Sequence, residues 1–251
     1  MQRFESKVVL ITGAASGIGQ ASAYRIAEEG GRIACVDIAA DAAEKTAATI
    51  RDNGGDAVAF ACDISYCDSI NSTVTKIVEH YGKLDALCNI AGMLRFDKTE
   101  DVNLEDWNRM LAVNLTGTFF MCQAVLPHLV ETQGYIVNMA STAAHGAHAW
   151  TAAYAASKGG VMAMTRTIAI EFGRRKVNAN TISPASVETP MVDLARTQLP
   201  EGADMSLLQK VLPFDGNRPP SAVANLVAFL ASEDAVHING IDIRIDGGLM
   251  A

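Results

Sequence analysis

Short apolar runs alternate with amphipathic stretches along the chain. The runs fall at about residues 7–12, 32–37, 57–62, 84–89, 134–140, 177–183 and 240–245. Their apolar content, with little polar alternation, predicts strands buried on both faces. Between them the apolar positions take helical spacing, most clearly at Ile70, Val74, Ile77, Val78 and Tyr81, with Gly82 as a stop. The stretch Tyr154 to Phe172, rich in Ala, Val, Met and Ile, reads as a further helix. Strand and helix in repeated alternation predict an α/β fold: a parallel sheet with helices on both faces. Ligands of such sheets bind beyond the carboxyl ends of the strands, the edge where Gly13, Asp37, Asn89, Ser141 and Pro184 fall. No linker, repeat or low-complexity tract divides residues 1–251, so a single domain is expected. The longest irregular piece runs from about Thr189 to Pro220 and holds Pro190, Pro200, Pro213, Pro219 and Pro220.

Two segments at that edge carry chemistry. The first strand, Lys7 to Thr12, runs into Gly13-Ala14-Ala15-Ser16-Gly17-Ile18-Gly19 and then into a helical stretch ending at Gly30-Gly31. Glycines let the backbone approach a pyrophosphate, and free N–H groups at a helix start point toward it. The spacing is G-x-x-x-G-x-G, one residue longer in its first gap than the usual dinucleotide fingerprint. The second strand ends in Asp37, 18 residues beyond Gly19, near the distance at which an acidic residue meets a ribose in a βαβ unit. Further on, Tyr154 and Lys158 stand one helical turn apart and share a face. A cation beside a phenol favours phenolate and would ready it for proton transfer at neutral pH. Alone, such a pair is usually two solvated helix residues. Ser141, however, ends a strand 13 residues before Tyr154.

With these segments in order, the chain resembles the short-chain dehydrogenase/reductase family over nearly its whole length. The matching motifs are T-G-x-x-x-G-x-G (Thr12 to Gly19), Asn89-Ile90-Ala91-Gly92, the helix Asn114, Ser141, Tyr154-x-x-x-Lys158, and Pro184 with Thr189 beyond it. Two departures stand out: Ile90 replaces the second Asn of the family's N-N-A-G turn, and Ala185 replaces the Gly of its Pro-Gly. A Cβ at Ala185 is expected to narrow the pocket or restrict the turn. The resemblance implies a Rossmann-type doubly wound sheet of seven strands in the order 3-2-1-4-5-6-7, with NAD as cofactor and residues 189–220 as a substrate lid. It also implies the roles. Tyr154 is the general acid–base, Lys158 lowers its pKa and holds the nicotinamide ribose, and Ser141 orients the substrate oxygen. Asn114 anchors a proton-relaying water; as a poor helix former inside a helix running from about Leu104, it predicts a local distortion. Thr189 bonds the carboxamide and Asp63 meets the adenine. Gly13, Ser16, Gly17, Ile18, Gly19, Asp37, Asp63, Ile64, Asn89, Ala91, Gly92, Tyr154, Lys158, Pro184, Val187 and Thr189 are the expected cofactor contacts.

Composition narrows the field. The chain has 251 residues, 49% hydrophobic and 19% charged, enough for one α/β core and without a disordered signature. A net charge of −8 and no basic stripe argue against nucleic acid. The charged N-terminal residues lead into a strand too short for a signal peptide or membrane span, so a cytoplasmic protein with no membrane partner is expected. Cys35, Cys62, Cys67, Cys88 and Cys122 form no C-x-x-C and read as small packing residues, not a disulfide or zinc framework. His145 and His148 lack a third ligand at metal spacing; a pocket-lining or loop role is expected, and no metal.

The leading reading is an NAD-dependent oxidoreductase of a neutral, largely apolar secondary alcohol or its ketone. Its pocket is expected from Met93, Leu94, Ala143, His145, Trp150, Val187, Met191 and Leu194, with Ser141, Ala143, His145, Trp150, Tyr154 and Met191 touching substrate. Arg95 and Arg196 read as solvated loop charges. One alternative is a 3-oxoacyl-carrier-protein reductase using NADPH, against which Asp37 and the acidic balance speak. The other is a non-catalytic dinucleotide-binding regulator, against which the intact Ser141, Tyr154, Lys158 and Asn114 speak. The family resemblance also implies a homotetramer, built through residues 107–129, 154–172 and 246–248.

Overall fold

The computed structural model of the protein describes residues 2–146, 148–209 and 216–251. Among them, seven parallel strands form one sheet in the order β3-β2-β1-β4-β5-β6-β7. They are β1 (Val8–Thr12), β2 (Arg32–Asp37), β3 (Asp56–Ala61), β4 (Ala86–Asn89), β5 (Tyr135–Met139), β6 (Asn178–Pro184) and β7 (Asp242–Ile245). Each lies within a residue or two of its apolar run, and the order is the one the resemblance implied. Order reverses between β1 and β4, which open a crevice at their carboxyl ends.

Period-two side chains divide the core in two. Val9 and Ile11 of β1 face one layer with Ile26, Ala47, Val223 and Val227. Those belong to α1 (Gly17–Glu28), α2 (Ala40–Asp52) and, later in the chain, the helix Pro220–Leu230. Val8 and Leu10 face the other layer with Ile70, Val74, Met121, Val125, Leu129 and Ile168, which belong to α3 (Cys67–Tyr81), the helix Thr118–Thr132 and the helix Ala152–Gly173. Gly82 ends α3 in the left-handed region, φ 80°, as the stop signal predicts.

The helix predicted from about Leu104 is three pieces: α4 (Leu104–Leu111), a π-helical turn at Ala112–Gly117, and α5 (Thr118–Thr132). The run is apolar and long enough to cross a membrane by length and composition, but Met121, Cys122, Val125 and Leu129 pack on the sheet. Asn114 sits in the π turn, as its poor fit to a regular helix predicts; such turns frequently mark functional sites. The helix carrying Tyr154 and Lys158 is α6 (Ala152–Gly173).

The region expected to be irregular is partly helical. Thr189 caps α7 (Pro190–Thr197), accepting from the Val192 N–H with Pro190 at the first turn. A short α8 (Ser206–Gln209) follows, and α9 (Pro220–Leu230) closes the segment. Residues 210–215, Pro213 among them, lie outside the described residues. Of the five free cysteines, Cys35, Cys62, Cys88 and Cys122 are buried and Cys67 is exposed; burial lifts Cys88 and Cys122 to about 12, so they pack as thiols.

Candidate active site

The glycine-rich turn is shaped by backbone contact. Gly13 takes φ +73°, and a Cβ there would stand 2.9 Å from the Ala91 backbone. At Gly19 a Cβ would lie 2.0 Å from the Gly13 carbonyl oxygen. Only glycine lets β1, the β4 turn and α1 come this close. Thr12 reinforces the junction, its hydroxyl accepting from the N–H groups of Ile90 and Ala91. No side chain caps α1 at Ser16, so its first N–H groups face the cleft free for an anion.

That cleft is lined by Gly13, Ser16, Gly17, Ile18, Gly19, Asp37, Asp63, Ile64, Ala91, Gly92 and Thr189, together with Arg109 and Val113. Asp37 ends β2 with its carboxylate fixed: one oxygen accepts from Ala15 N–H at 3.0 Å, the other from Ala39 N–H at 2.9 Å. Asp63 lies two residues past the end of β3 and accepts from both Ser65 N–H and its hydroxyl. An extended cleft with an uncapped helix start, close-approach glycines and an acid at the second strand's end fits a dinucleotide. Asn89 does not line it. Its amide is buried, donating to Asn138 Oδ1 at 2.9 Å, while Asn138 donates to Thr165. Its side chain points into the core and ties β4 to β5 and α6, so the cofactor contact expected of Asn89 could come only from its backbone.

A second cavity, about 180 Å³, adjoins the cleft. Ile18, Ile90, Gly92, Met93, Thr189 and Met191 line both. Ser141, Tyr154 and Lys158 all reach this cavity, with Pro184, Ala185 and Val187 beside them. Ser141 leaves β5 through Ala140, whose N–H donates to Ile182, and its hydroxyl accepts from Ala143 N–H. Lys158 Nζ donates to the Met139 carbonyl at 2.8 Å and lies 5.8 Å from the Tyr154 ring centre. Asn114 is fully buried just behind: its amide donates to Met93 O and Ser157 Oγ and accepts from Met93 N–H, and its own carbonyl accepts from Thr118. Asn114 thus holds the Met93 wall against α6.

The electrostatics depart from expectation. Burial raises the Tyr154 pKa above that of an ordinary phenol, with a Ser141 hydrogen bond acting the other way. Burial also brings Lys158 down to about 8. Burial outweighs the lowering of Tyr154 expected from Lys158, because both groups lose hydration and each favours its neutral form.

Several expected substrate contacts sit elsewhere. His145 turns toward β6 and β7, with Nε2 2.8 Å from Asp242 Oδ2 and 3.2 Å from Ser183 Oγ. Ala143 is buried and does not line the cavity. Trp150 is outside the lining too, held at φ +61°, its carbonyl accepting from Asp97 N–H. Leu194 is exposed on a neighbouring groove. The cavity instead uses His148, Thr151 and Phe96, so the aromatic wall is Phe96. Sequence places His145 and His148 in the same loop and cannot decide which ring turns inward; a bonding partner on β7 takes His145. Arg95 pairs with Asp97 and Asp106, whereas Arg196 reaches the cavity lining, donating to Ser186 Oγ at 3.4 Å. Ala185 lines the cavity as expected, but its φ is not among the positive ones, so the turn needs no glycine.

Comparison with known proteins agrees with this arrangement. Residues 13–250 match the family model described as enoyl-(acyl carrier protein) reductase. A D-threitol dehydrogenase of Mycolicibacterium smegmatis is 42% identical over 247 residues, 98% of this chain and 94% of its own. The crystal structure of levodione reductase superposes with a TM-score of 0.92 at 32% identity, over 99% of both chains. That of a short chain dehydrogenase from Mycobacterium paratuberculosis bound to NAD gives 0.91 at 28% identity, over 99% of both chains.

Proposed function

The chain belongs to the short-chain dehydrogenase/reductase family, and from that premise we propose an NAD(H)-dependent oxidoreductase of a neutral, largely apolar secondary alcohol or its ketone. The observation carrying this reading is that Ser141, Tyr154 and Lys158 meet in one cavity that shares a wall with the dinucleotide cleft. Bound nicotinamide supplies the hydride chemistry. The chain's part is orientation and proton handling. Ser141 hydrogen-bonds the substrate oxygen and sets its direction. Tyr154 Oη gives that oxygen a proton in reduction and takes one in oxidation. Lys158, held by Met139, keeps an ammonium or amine beside the phenol and would hold the nicotinamide ribose of a bound cofactor. The Gly13–Gly19 turn and the α1 start would hold its pyrophosphate.

The lining is the basis for a neutral substrate. Ile90, Met93, Leu94, Phe96, Met139, Met191, Val192 and Leu208 make the walls apolar. A carboxylate there would need paired cations to offset its desolvation, and Arg196 is exposed at the rim. The D-threitol dehydrogenase is named for a neutral substrate, in keeping with this. A panel of secondary alcohols, hydroxy acids and sugar acids with NAD⁺ tests it. Neutral alcohols are expected to give the highest kcat/KM; clear preference for a hydroxy acid overturns the reading.

A homotetramer is part of the same proposal. Phe119 on α5 is 41% exposed and Ile170 on α6 is 81% exposed, apolar surface on the two helices expected to pair. Closed two-fold assemblies are the common outcome for soluble enzymes. Light scattering at micromolar concentration should give about four times the 26.6 kDa chain mass; a monomer mass refutes it.

A further inference from the structure

Within the cavity one polar atom has no use in the mechanism. His148 Nε2 is buried and has no hydrogen-bond partner, yet His148 lines the cavity that holds Tyr154. An unpaired buried nitrogen is costly and calls for an explanation. Its loop is not free to swing it into water. Thr151 Oγ1 donates to the His148 carbonyl at 2.8 Å. Two residues on, the Trp150 carbonyl accepts from Asp97 N–H, also at 2.8 Å, with Trp150 in the left-handed region at φ +61°. A bulky residue is held in that region only where the surroundings over-determine it.

The other polar side chains of the cavity have hydrogen-bond partners or a part in the mechanism, with Thr189 capping α7 and Arg196 exposed at the rim. The Thr151 hydroxyl donates to the His148 carbonyl, and the Thr142 hydroxyl to the Pro184 carbonyl. Ser186 accepts from Arg196. Ser141 and Tyr154 serve the reacting oxygen. We infer that His148 recognises a second hydroxyl on the substrate, so that the enzyme prefers an alcohol carrying two hydroxyls over its single-hydroxyl counterpart. This rests on the alcohol dehydrogenase reading above and specifies its substrate class.

The chemistry of the imidazole selects a hydroxyl. Burial lowers the His148 pKa, so at neutral pH the ring is uncharged and Nε2 is either one N–H donor or one lone pair. A hydroxyl donates or accepts and therefore satisfies Nε2 in either tautomer. A carboxylate or phosphate would find at most one neutral donor there. A purely apolar group would leave the nitrogen unpaired. Sites built to hydrogen-bond a substrate hydroxyl reject analogues lacking it far more strongly than apolar pockets reject a missing methylene.

The experiment uses the full chain and matched pairs: 2,3-butanediol with 2-butanol, and 1,2-, 1,3- and 1,4-cyclohexanediol with cyclohexanol, each with NAD⁺ and with NADP⁺. Wild type is expected to favour the best-spaced diol over its mono-alcohol by roughly 10- to 100-fold in kcat/KM. The H148L substitution should collapse that ratio toward one, while H148Q, which keeps a donor and an acceptor, should retain most of it. A wild-type enzyme that oxidises mono-alcohols as well as every diol overturns the assignment and leaves the dehydrogenase reading standing. So does an unchanged ratio in H148L. If no alcohol is oxidised with either cofactor, the dehydrogenase reading itself fails, and the assignment with it. Should H148L not fold, the wild-type ratio and H148Q decide.

Discussion

Replacing Tyr154 by Phe is expected to lower kcat by about 10²–10⁴-fold while leaving NAD affinity nearly unchanged. The substitution removes one oxygen from the cavity wall and keeps the ring beside Lys158, so packing survives and proton transfer does not. Steady-state kinetics and a cofactor fluorescence titration check both halves. A variant retaining a large share of wild-type kcat would show that another group handles the proton. The direction of the Tyr154 shift adds a pH signature. Burial raises its pKa, so the phenol holds its proton at neutral pH and is ready to donate in ketone reduction. Alcohol oxidation needs the deprotonated form, so its rate should climb as pH rises while that of reduction falls. Lys158, at about 8, passes from ammonium to amine within the same range, and loss of its charge works against phenolate. Profiles of the two directions with the same slope would contradict the assignment.

Much of this was readable in the residues, and where reading stopped has physical causes. Strands buried on both faces leave continuous apolar runs, so all seven were visible. The glycine turn declares itself because only Gly tolerates a backbone 2.9 Å from where its Cβ would be, and Asp37 by its place at the end of the second strand. Asn114 was legible as a misfit: an amide inside an apolar helix predicts a break, and a π turn is there. For Asn89 the motif position does not say which way its side chain points, and a buried amide partner, Asn138, draws it inward. His145 and Trp150 misled. In a loop without period, contacts from distant elements decide orientation: Asp242 on β7 for His145, the Asp97 N–H for the Trp150 backbone. Leu208, from the stretch expected to be irregular, was invisible as a cavity wall because α8 is four residues long, too short to show a helical period in the sequence. The Tyr154–Lys158 spacing showed that the two are neighbours but not how strongly loss of hydration would shift each toward its neutral form.

Cofactor choice should show the second large effect: kcat/KM with NAD⁺ at least about 100-fold above that with NADP⁺, about 3 kcal/mol of lost hydrogen bonding and added repulsion. The Asp37 carboxylate is held by two backbone N–H groups, from Ala15 and Ala39, which use one acceptor site on each oxygen. The remaining sites suit two ribose hydroxyls. A 2′-phosphate would bring about two negative charges against the same carboxylate. No cation at positions 14–16 or 38–40 offsets them. Arg32 is engaged with Asp56 and Arg51 with Glu44. Among the described residues lining the cleft, Arg109 is the cation, and it comes from α4 rather than from the loops beside Asp37. Asp37→Ser should lower kcat/KM for NAD⁺ and raise it for NADP⁺, narrowing the gap from both sides, because repulsion is removed along with a charged acceptor. Initial rates across both cofactors measure it directly. Equal kcat/KM for the two in wild type would mean that Asp37 does not set the preference and that Arg109 or another cation reaches the phosphate.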